Sequence, residues 1–127
     1  MRRVMWMALG LLLLAAMPSG TEQPAMPEMT TYYVGMLMKA AKWSAEETPE
    51  RVELQRQHLA HLTKMGEEGK LVLAGPLLDD GTIRGLLVYK AGSIEEARAW
   101  AEADPAVKAG RLKVEMHPWM VQRGILP

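Results

Sequence analysis

The sequence predicts a single α+β domain in which two helices pack on one face of a four-stranded antiparallel sheet. Three observations support this fold class. Strand-like runs and helical patterns alternate along the chain in the order βαββαβ. Each helical pattern begins at a residue that caps helices well. The last strand alternates apolar with polar residues, which is typical of a strand that buries only one face.

The first strand and the first helix occupy the beginning of the domain. Residues 30–39 contain the run Thr-Tyr-Tyr-Val, whose members all favour strands. After a loop that contains a tryptophan, Thr48 can cap a helix, and Pro49 suits the first helical position. We expect this helix to run to about Glu68, because Gly69 is a good helix terminator.

The first helix has one apolar side. When its residues are placed at about 100° intervals, five apolar side chains fall in one arc: Val52, Leu54, Leu59, Leu62 and Met65. His58 lies inside this arc, and His61 lies at its edge. The pattern therefore predicts that His58 faces the sheet.

Three more strands follow the first helix. Residues 70–75 and 84–90 flank a loop with a turn at Asp80-Gly81. Residues 111–118 alternate Leu, Val and Met with charged residues and a histidine. These runs complete a four-stranded sheet.

The second helix lies between the third and fourth strands. The run Ser-Ile-Glu-Glu that begins at Ser93 is a capping box, so the helix starts there. Pro105 disfavours helical backbone at the residue before it, and the helix must therefore stop near Asp104. Asp104 can itself cap a short turn that ends at Gly110.

The order βαββαβ is that of the ferredoxin-like split βαβ arrangement. Both helices then cover the same face of the sheet, and the other face has no cover within the chain. A sheet with Tyr and Met side chains on its uncovered face usually buries that face against something. A second copy of the chain is the simplest candidate, so we expect a homodimer.

The N-terminus predicts an export signal. Arg2 and Arg3 precede an apolar run over residues 4–17, which is shorter than the about 20 residues that a membrane-spanning helix needs. We interpret residues 1–20 as a signal peptide with a cleavage point in the range 16–25. An uncleaved anchor is the alternative interpretation.

The remainder of the chain has two parts under this interpretation. Residues 21–29 contain two prolines and polar residues, and they form a flexible lead-in. Residues 30–127 form the domain. We expect the mature protein to be exported to the periplasm or secreted, without stable insertion into a membrane after cleavage.

The composition argues against several classes of function. The formal net charge is +0, whereas a nucleic-acid partner needs a basic excess. The absence of Cys excludes thiolate catalysis and disulfides. The sequence contains no Gly-rich phosphate loop and no zinc-ligand spacing, so neither a cofactor nor a metal is expected.

Three motifs resemble those of the YCII-related family. In residues 56–62, a histidine precedes Leu-x-x-Leu. Residues 69–76 read Gly-Lys-Leu-Val-Leu-Ala-Gly-Pro, and Ala103-Asp104-Pro105 follows the second helix. The resemblance implies a dimeric α/β-barrel built on the ferredoxin-like fold. It also implies a cleft in which His58 and Asp104 are catalytic, and a few such relatives are linked to elimination or dehalogenation of aromatic-pathway intermediates.

The chemistry of His58 has two interpretations. An imidazole beside a carboxylate has its tautomer set by that partner and can exchange protons, so Asp104 could orient His58 for catalysis. A histidine on the apolar side of a helix is more often a hydrogen-bonded core residue, and Asp before Pro is a natural helix cap.

Five other residues are candidates for lining the ligand pocket. Tyr33 and Trp43 could contact a flat apolar ligand, although Trp43 could equally pack within its loop. His61 could reach the same ligand as His58 because it lies three residues further along the helix. Gly75 and Pro76 would form the floor, since Gly lets the backbone approach a ligand closely.

Two functions remain open. One is a cofactor-free acid–base enzyme of the lyase or isomerase type that acts on a small organic molecule through a His-Asp pair. The other is a non-catalytic, dimeric protein of the cell envelope that binds a small ligand or has a stress-related role. An enzyme needs a reachable, titrating His58, whereas a binding protein needs only a closed pocket.

Overall fold

The computed structural model describes residues 15–17, 20 and 23–127. Most of the predicted export signal lies outside these residues, so its interpretation remains a prediction. Within the ranges that the structure describes, no helix is long and apolar enough to span a membrane.

The elements follow the predicted order βαββαβ, with one additional short helix where the sequence predicts a capped turn. The elements are β1 (Met29–Lys39), α1 (Pro49–Glu67), β2 (Leu71–Pro76), β3 (Ile83–Tyr89), α2 (Ile94–Glu102), α3 (Pro105–Lys108) and β4 (Leu112–Gln122). The predicted turn between β2 and β3 is present, and Asp80 adopts a left-handed conformation with φ 58°.

The four strands form one antiparallel sheet in the order β2-β3-β1-β4. β1 pairs with β4 along its whole length, from Met29 opposite Gln122 to Lys39 opposite Leu112. β4 therefore continues past Pro118, where the sequence predicts its end. β4 is an edge strand, and an edge strand tolerates a residue that has no N–H to donate.

The helix α1 begins where its cap predicts and packs mainly through its second half. The Thr48 hydroxyl oxygen accepts a hydrogen bond from the Arg51 N–H at 3.2 Å. His58 and Met65 are the buried residues of α1. Val52 and Leu59 are about half exposed, at 54% and 52%, although both belong to the predicted apolar arc. α1 contacts α3 and β2, and its first half stands over a cavity instead of against the sheet.

The core has one cluster on each face of the sheet. The larger cluster lies under the helices and includes Leu37, Leu87, Tyr89 and Met65. The smaller cluster consists of Tyr32, Val88 and Val121 with partly buried neighbours. We call the face with the smaller cluster, opposite the helices, the open sheet face. It has an apolar groove lined by Val34, Leu73, Leu86, Val88 and Trp119.

Candidate active site

The structure brings together the two side chains that the sequence predicts as a pair. His58 lies on α1 and Asp104 directly precedes α3, 46 positions further along the chain. The His58 Nδ1–H donates to Oδ2 of Asp104 at 2.6 Å. The two residues are 7% and 1% exposed, so both members of the pair are buried.

Asp104 serves two partners at once. Its Oδ1 accepts the backbone N–H of Ala106 at 2.9 Å, which caps α3, while Oδ2 accepts from His58. The backbone at Asp104 is extended, and Pro105 occupies the first position of α3. The Asp104 carboxylate thus caps α3 and contacts the imidazole at the same time, and the cap holds the carboxylate in place for this contact.

The pair determines which ring nitrogen of His58 can react. A carboxylate only accepts hydrogen bonds, so the proton of the neutral ring sits on Nδ1. Nε2 then carries the lone pair and is the nitrogen that can take a proton from a bound molecule. An imidazolium formed in this way would lie beside the Asp104 carboxylate, whose charge favours it.

His58 lines a cavity between α1 and the sheet, which we call the His58 cavity. Its volume is about 480 Å³, within the range of small-molecule sites. Aliphatic side chains from β1, β3 and α1 form much of its wall: Leu37, Leu59, Leu62, Leu86 and Leu87. The cavity is therefore suited to a small and largely apolar molecule that reaches His58.

The predicted pocket residues divide into two groups. Trp43, Gly75 and Pro76 line the His58 cavity as expected. His61 does not line it, because its Nε2–H donates to the Trp100 carbonyl oxygen at 3.0 Å and thereby ties α1 to α2. Tyr33 does not line it either, because its ring packs on the core cluster under the helices.

Three arginines that the sequence does not mark as site residues also line the cavity: Arg51 on α1, Arg84 on β3 and Arg111 just before β4. Arg111 is 9% exposed and donates to the Ser44 carbonyl oxygen at 2.7 Å. Its burial, followed by the charges of Arg51 and Arg84, lowers the pKa of Arg111. No sequence signal distinguishes these arginines from surface ones, because their meeting depends on the sheet register.

Tyr89 is a second residue whose position the sequence does not reveal. It is fully buried, and its hydroxyl has no hydrogen-bond partner in the described part of the chain. Burial raises the pKa of Tyr89 above its usual range, and the charge of Asp104 adds to this effect. The phenol therefore stays protonated near the His58–Asp104 pair.

Metal ligands are not grouped near the pair. Among the residues that the structure describes, no three or more His, Asp or Glu side chains are close enough to hold a metal ion together. The third histidine, His117, lies on β4 and contacts the Glu115 carboxylate at 2.9 Å.

The protein is an α+β domain with helices on one face of its sheet. Its buried His–Asp pair lies beside a cavity and forms a candidate acid–base site. The chain belongs to the YCII-related domain family, whose model matches residues 33–120. This confirms the resemblance carried by the three sequence motifs.

Individual proteins similar to this chain come from bacteria and a fungus. Protein YciI of Escherichia coli O6:H1 is 35% identical over 78 residues, which are 55% of this chain and 80% of that protein. The "derivative of benzaldehyde biosynthesis cluster protein C" of Emericella nidulans is 30% identical over 82 residues, or 58% of this chain and 84% of that protein.

The fold is also found among solved structures. One of them is 5-chloro-2-hydroxyhydroquinone dehydrochlorinase from Burkholderia phenoliruptrix, in complex with 2,5-dihydroxybenzoquinone. The alignment covers 71% of this chain and 93% of that chain, with a TM-score of 0.51 and 22% sequence identity. The likeness shows a shared α+β fold with a four-stranded antiparallel sheet, consistent with the predicted ferredoxin-like class.

Proposed function

We propose that this protein is a cofactor-free acid–base enzyme, of the lyase or isomerase type, that acts on a small organic molecule through His58 and Asp104. The observation that carries the proposal is the 2.6 Å contact between His58 Nδ1 and Asp104 Oδ2 at the wall of the cavity. A core histidine would need the hydrogen bond but not the cavity.

The proposed step is proton transfer at Nε2 of His58. Nε2 takes a proton from an acidic position of the substrate, and Asp104 stabilises the imidazolium that forms. In an isomerisation, the proton returns to the substrate at another atom. In an elimination, the electron pair released by deprotonation expels the leaving group, and the proton passes to solvent.

The similar structure supports the elimination variant. Its enzyme is named a dehydrochlorinase, and loss of HCl is an elimination that a positioned base assists. Its ligand, 2,5-dihydroxybenzoquinone, is flat and small enough for a cavity of about 480 Å³. We therefore choose chlorinated and hydroxylated hydroquinones, together with their ring-carboxylated analogues, as the first substrates to test.

The experiment measures turnover of these hydroquinones by absorbance and by chloride release. His58→Gln should reduce turnover by about 10²- to 10⁴-fold, because a general base contributes about that much. His117→Gln is the matched control, since His117 lies on β4 and does not line the His58 cavity. Full turnover in His58→Gln would contradict the proposal, and saturable binding without any turnover in the wild type would favour a non-catalytic binding protein.

We further propose that two copies form a dimeric α/β-barrel through the open sheet face. The proposal is supported by the exposure of large apolar side chains there, with Leu73 at 53% and Trp119 at 43%. No helix of the described residues covers this face, because α1 and α2 both pack on the other side.

We also propose export of the mature protein to the periplasm or beyond the cell. The support is the basic start at Arg2 and Arg3 followed by the apolar run over residues 4–17. Intact-mass measurement of protein from its native host should show loss of about 16–25 residues. A full-length product embedded in the membrane would contradict this.

A further inference from the structure

Three guanidinium groups meet at one side of the His58 cavity. Arg51 on α1, Arg84 on β3 and Arg111 in the connection before β4 all line the cavity. Two of them lie over the same indole ring, with Cζ of Arg111 4.1 Å and Cζ of Arg84 5.1 Å from the ring centroid of Trp43. The fold thus concentrates positive charge within the cavity that contains His58.

Protein carboxylates only partly balance this charge. Arg84 pairs with Asp80 at 3.0 Å, but the Asp80 side chain is 93% exposed. Among the described residues, no carboxylate lies within ion-pair distance of Arg51 or Arg111. The buried Asp104 is already engaged by His58 and the Ala106 N–H.

The arginines over Trp43 are held in a geometry that suits binding of an anion better than contact with water alone. A guanidinium that stacks on an aromatic ring keeps a defined orientation, which leaves its N–H donors available in its plane. Arg111 is also held by the Ser44 carbonyl oxygen. Carboxylates fit such fixed guanidinium donors with two parallel hydrogen bonds.

A purely structural role, in which the arginines only stack on Trp43, does not explain why three of them line the same cavity. One cation over Trp43 would satisfy a stacking interaction, and Lys39 already places its Nζ 5.4 Å from the ring centroid. The charges of Arg51 and Arg84 both repel Arg111, and this repulsion adds to the effect of burial in lowering the pKa of Arg111. A bound anion would relieve the repulsion.

We infer that Arg51, Arg84 and Arg111 form an anion-binding subsite, and that the molecule reaching His58 is a planar organic acid bound through its carboxylate. The ring of that molecule lies against Trp43 and the leucine wall, while the guanidiniums hold the carboxylate. This names the substrate class of the proposed function and rests on it for the catalytic role of His58. Anion binding itself does not depend on turnover.

The test uses benzoate and its neutral counterpart benzamide as probes, titrated into the full chain by calorimetry. Benzoate should bind about tenfold or more tightly than benzamide, since its hydrogen bonds are charge-assisted. Arg51→Gln and Arg111→Gln should each weaken benzoate binding about tenfold and leave benzamide binding nearly unchanged. The matched control is Arg56→Gln, because Arg56 is exposed on α1 and pairs with Glu53.

Two further variants keep the result interpretable. Because Arg111 is buried, its replacement affects the stability of the domain as well as the binding of benzoate. Arg111→Lys retains the positive charge, and urea unfolding reports whether the domain is intact. His58→Gln should still bind benzoate more tightly than benzamide, because the guanidiniums and not His58 hold the carboxylate. If it does so while retaining turnover, the proposed catalytic function fails and the subsite stands.

Three results would overturn the subsite. They are no benzoate binding at millimolar concentration, equal affinity for benzoate and benzamide, and unchanged benzoate affinity in folded Arg51→Gln and Arg111→Gln. Each can occur whether or not His58→Gln abolishes turnover.

Discussion

Asp104 is the residue on which most of the site's geometry depends, because its two carboxylate oxygens have different partners. Oδ1 accepts from the Ala106 N–H and Oδ2 from His58. A buried carboxylate is costly unless its oxygens are hydrogen-bonded. The pair is therefore a stability element of the fold as well as a candidate catalytic one.

This coupling predicts that His58→Ala destabilises the domain by about 2–3 kcal/mol, the cost of removing a hydrogen bond to a buried charged group. A histidine at the rim of a cleft would cost less, because it contributes little packing. His61→Ala is the matched control on the same helix; it removes one hydrogen bond to the Trp100 carbonyl oxygen and should cost about 1 kcal/mol. Urea unfolding measures both, and equal losses would contradict the burial argument.

Asp104→Asn should separate the structural and chemical roles of Asp104. The amide oxygen can still accept from the Ala106 N–H, so we expect a stability loss below about 1 kcal/mol. The amide NH₂ would then face Nδ1 of His58 and donate to it, which moves the ring proton to Nε2. A ring protonated at Nε2 cannot act there as a base, so activity should fall.

Nitrogen-15 NMR of the imidazole distinguishes the two tautomers directly. The wild type should show the proton on Nδ1, and Asp104→Asn should show it on Nε2. A variant that keeps the proton on Nδ1 would show that Asp104 does not orient the ring.

Tyr89→Phe tests the buried phenol. The hydroxyl has no partner among the residues described, so its removal should stabilise the protein by about 1 kcal/mol at neutral pH. The pKa of Tyr89 is raised in the folded state, and the unfolded chain loses this proton near pH 10. The titration of Tyr89 thus leaves the free energy of unfolding of the wild type unchanged below about pH 10 and lowers it above that pH.

The measurement is urea unfolding at pH 7 and across about pH 9–11.5. Tyr89→Phe should lose less stability over the alkaline range than wild type, whereas Tyr33→Phe should follow wild type. If the free energies of unfolding of wild type and Tyr89→Phe decline in parallel above pH 10, the Tyr89 phenol does not cause the alkaline loss of stability.

At the scale of elements, β2 leaves no room for a side chain at Gly85 of β3, where the two strands form part of the cavity wall. A Cβ on Gly85 would lie 2.9 Å from the Gly75 carbonyl oxygen, which is closer than a carbon atom tolerates. Gly85→Ala should therefore cost about 1–3 kcal/mol, because backbone must shift to relieve the clash. Gly92→Ala is the control, since a Cβ there meets nothing within 4 Å.

Urea unfolding of the two glycine variants provides the comparison. A Gly85→Ala protein as stable as Gly92→Ala would mean that β2 can move away without loss. Gly85→Ala should also weaken ligand binding in the His58 cavity, because Gly75, Pro76 and Gly85 all line it.

Element boundaries were predictable where local chemistry sets them, and less so where pairing does. Thr48 and Ser93 cap α1 and α2 as predicted, through hydrogen bonds to the N–H groups of Arg51 and Glu96. The sequence predicts that β4 ends at Pro118, whereas the strand pairs as far as Gln122, because the sequence does not distinguish an edge strand from a central one.

At the scale of the whole molecule, the open sheet face predicts association. Trp119 lies on this face, so Trp119→Glu should convert a micromolar dimer into a monomer. Met120 is the neighbouring residue on β4, points to the opposite side and is more exposed, at 64%. Met120→Glu should therefore leave the dimer intact.

Light scattering after size exclusion measures the mass of each variant. A wild-type protein that is monomeric at micromolar concentration, or a Trp119→Glu protein that remains dimeric, would count against the open sheet face as the interface.

The sequence by itself determined the order of elements, the helix caps and the placement of His58 on the apolar side of α1. These depend on residues within one or two helical turns, and such patterns are visible along the chain. The Asp104-Pro105 motif likewise marked the cap of α3, and its pairing with His58 was predicted with help from the family resemblance.

The tertiary structure alone decided which other side chains share the cavity with His58. Arg51, Arg84 and Arg111 lie on elements far apart in sequence and meet through the β1–β3 and β1–β4 registers and the position of α1. The same geometry turns His61 toward the Trp100 carbonyl oxygen and away from the ligand. The physical reason is that a long-range contact depends on strand register and helix position together, and neither is encoded in a short stretch of residues.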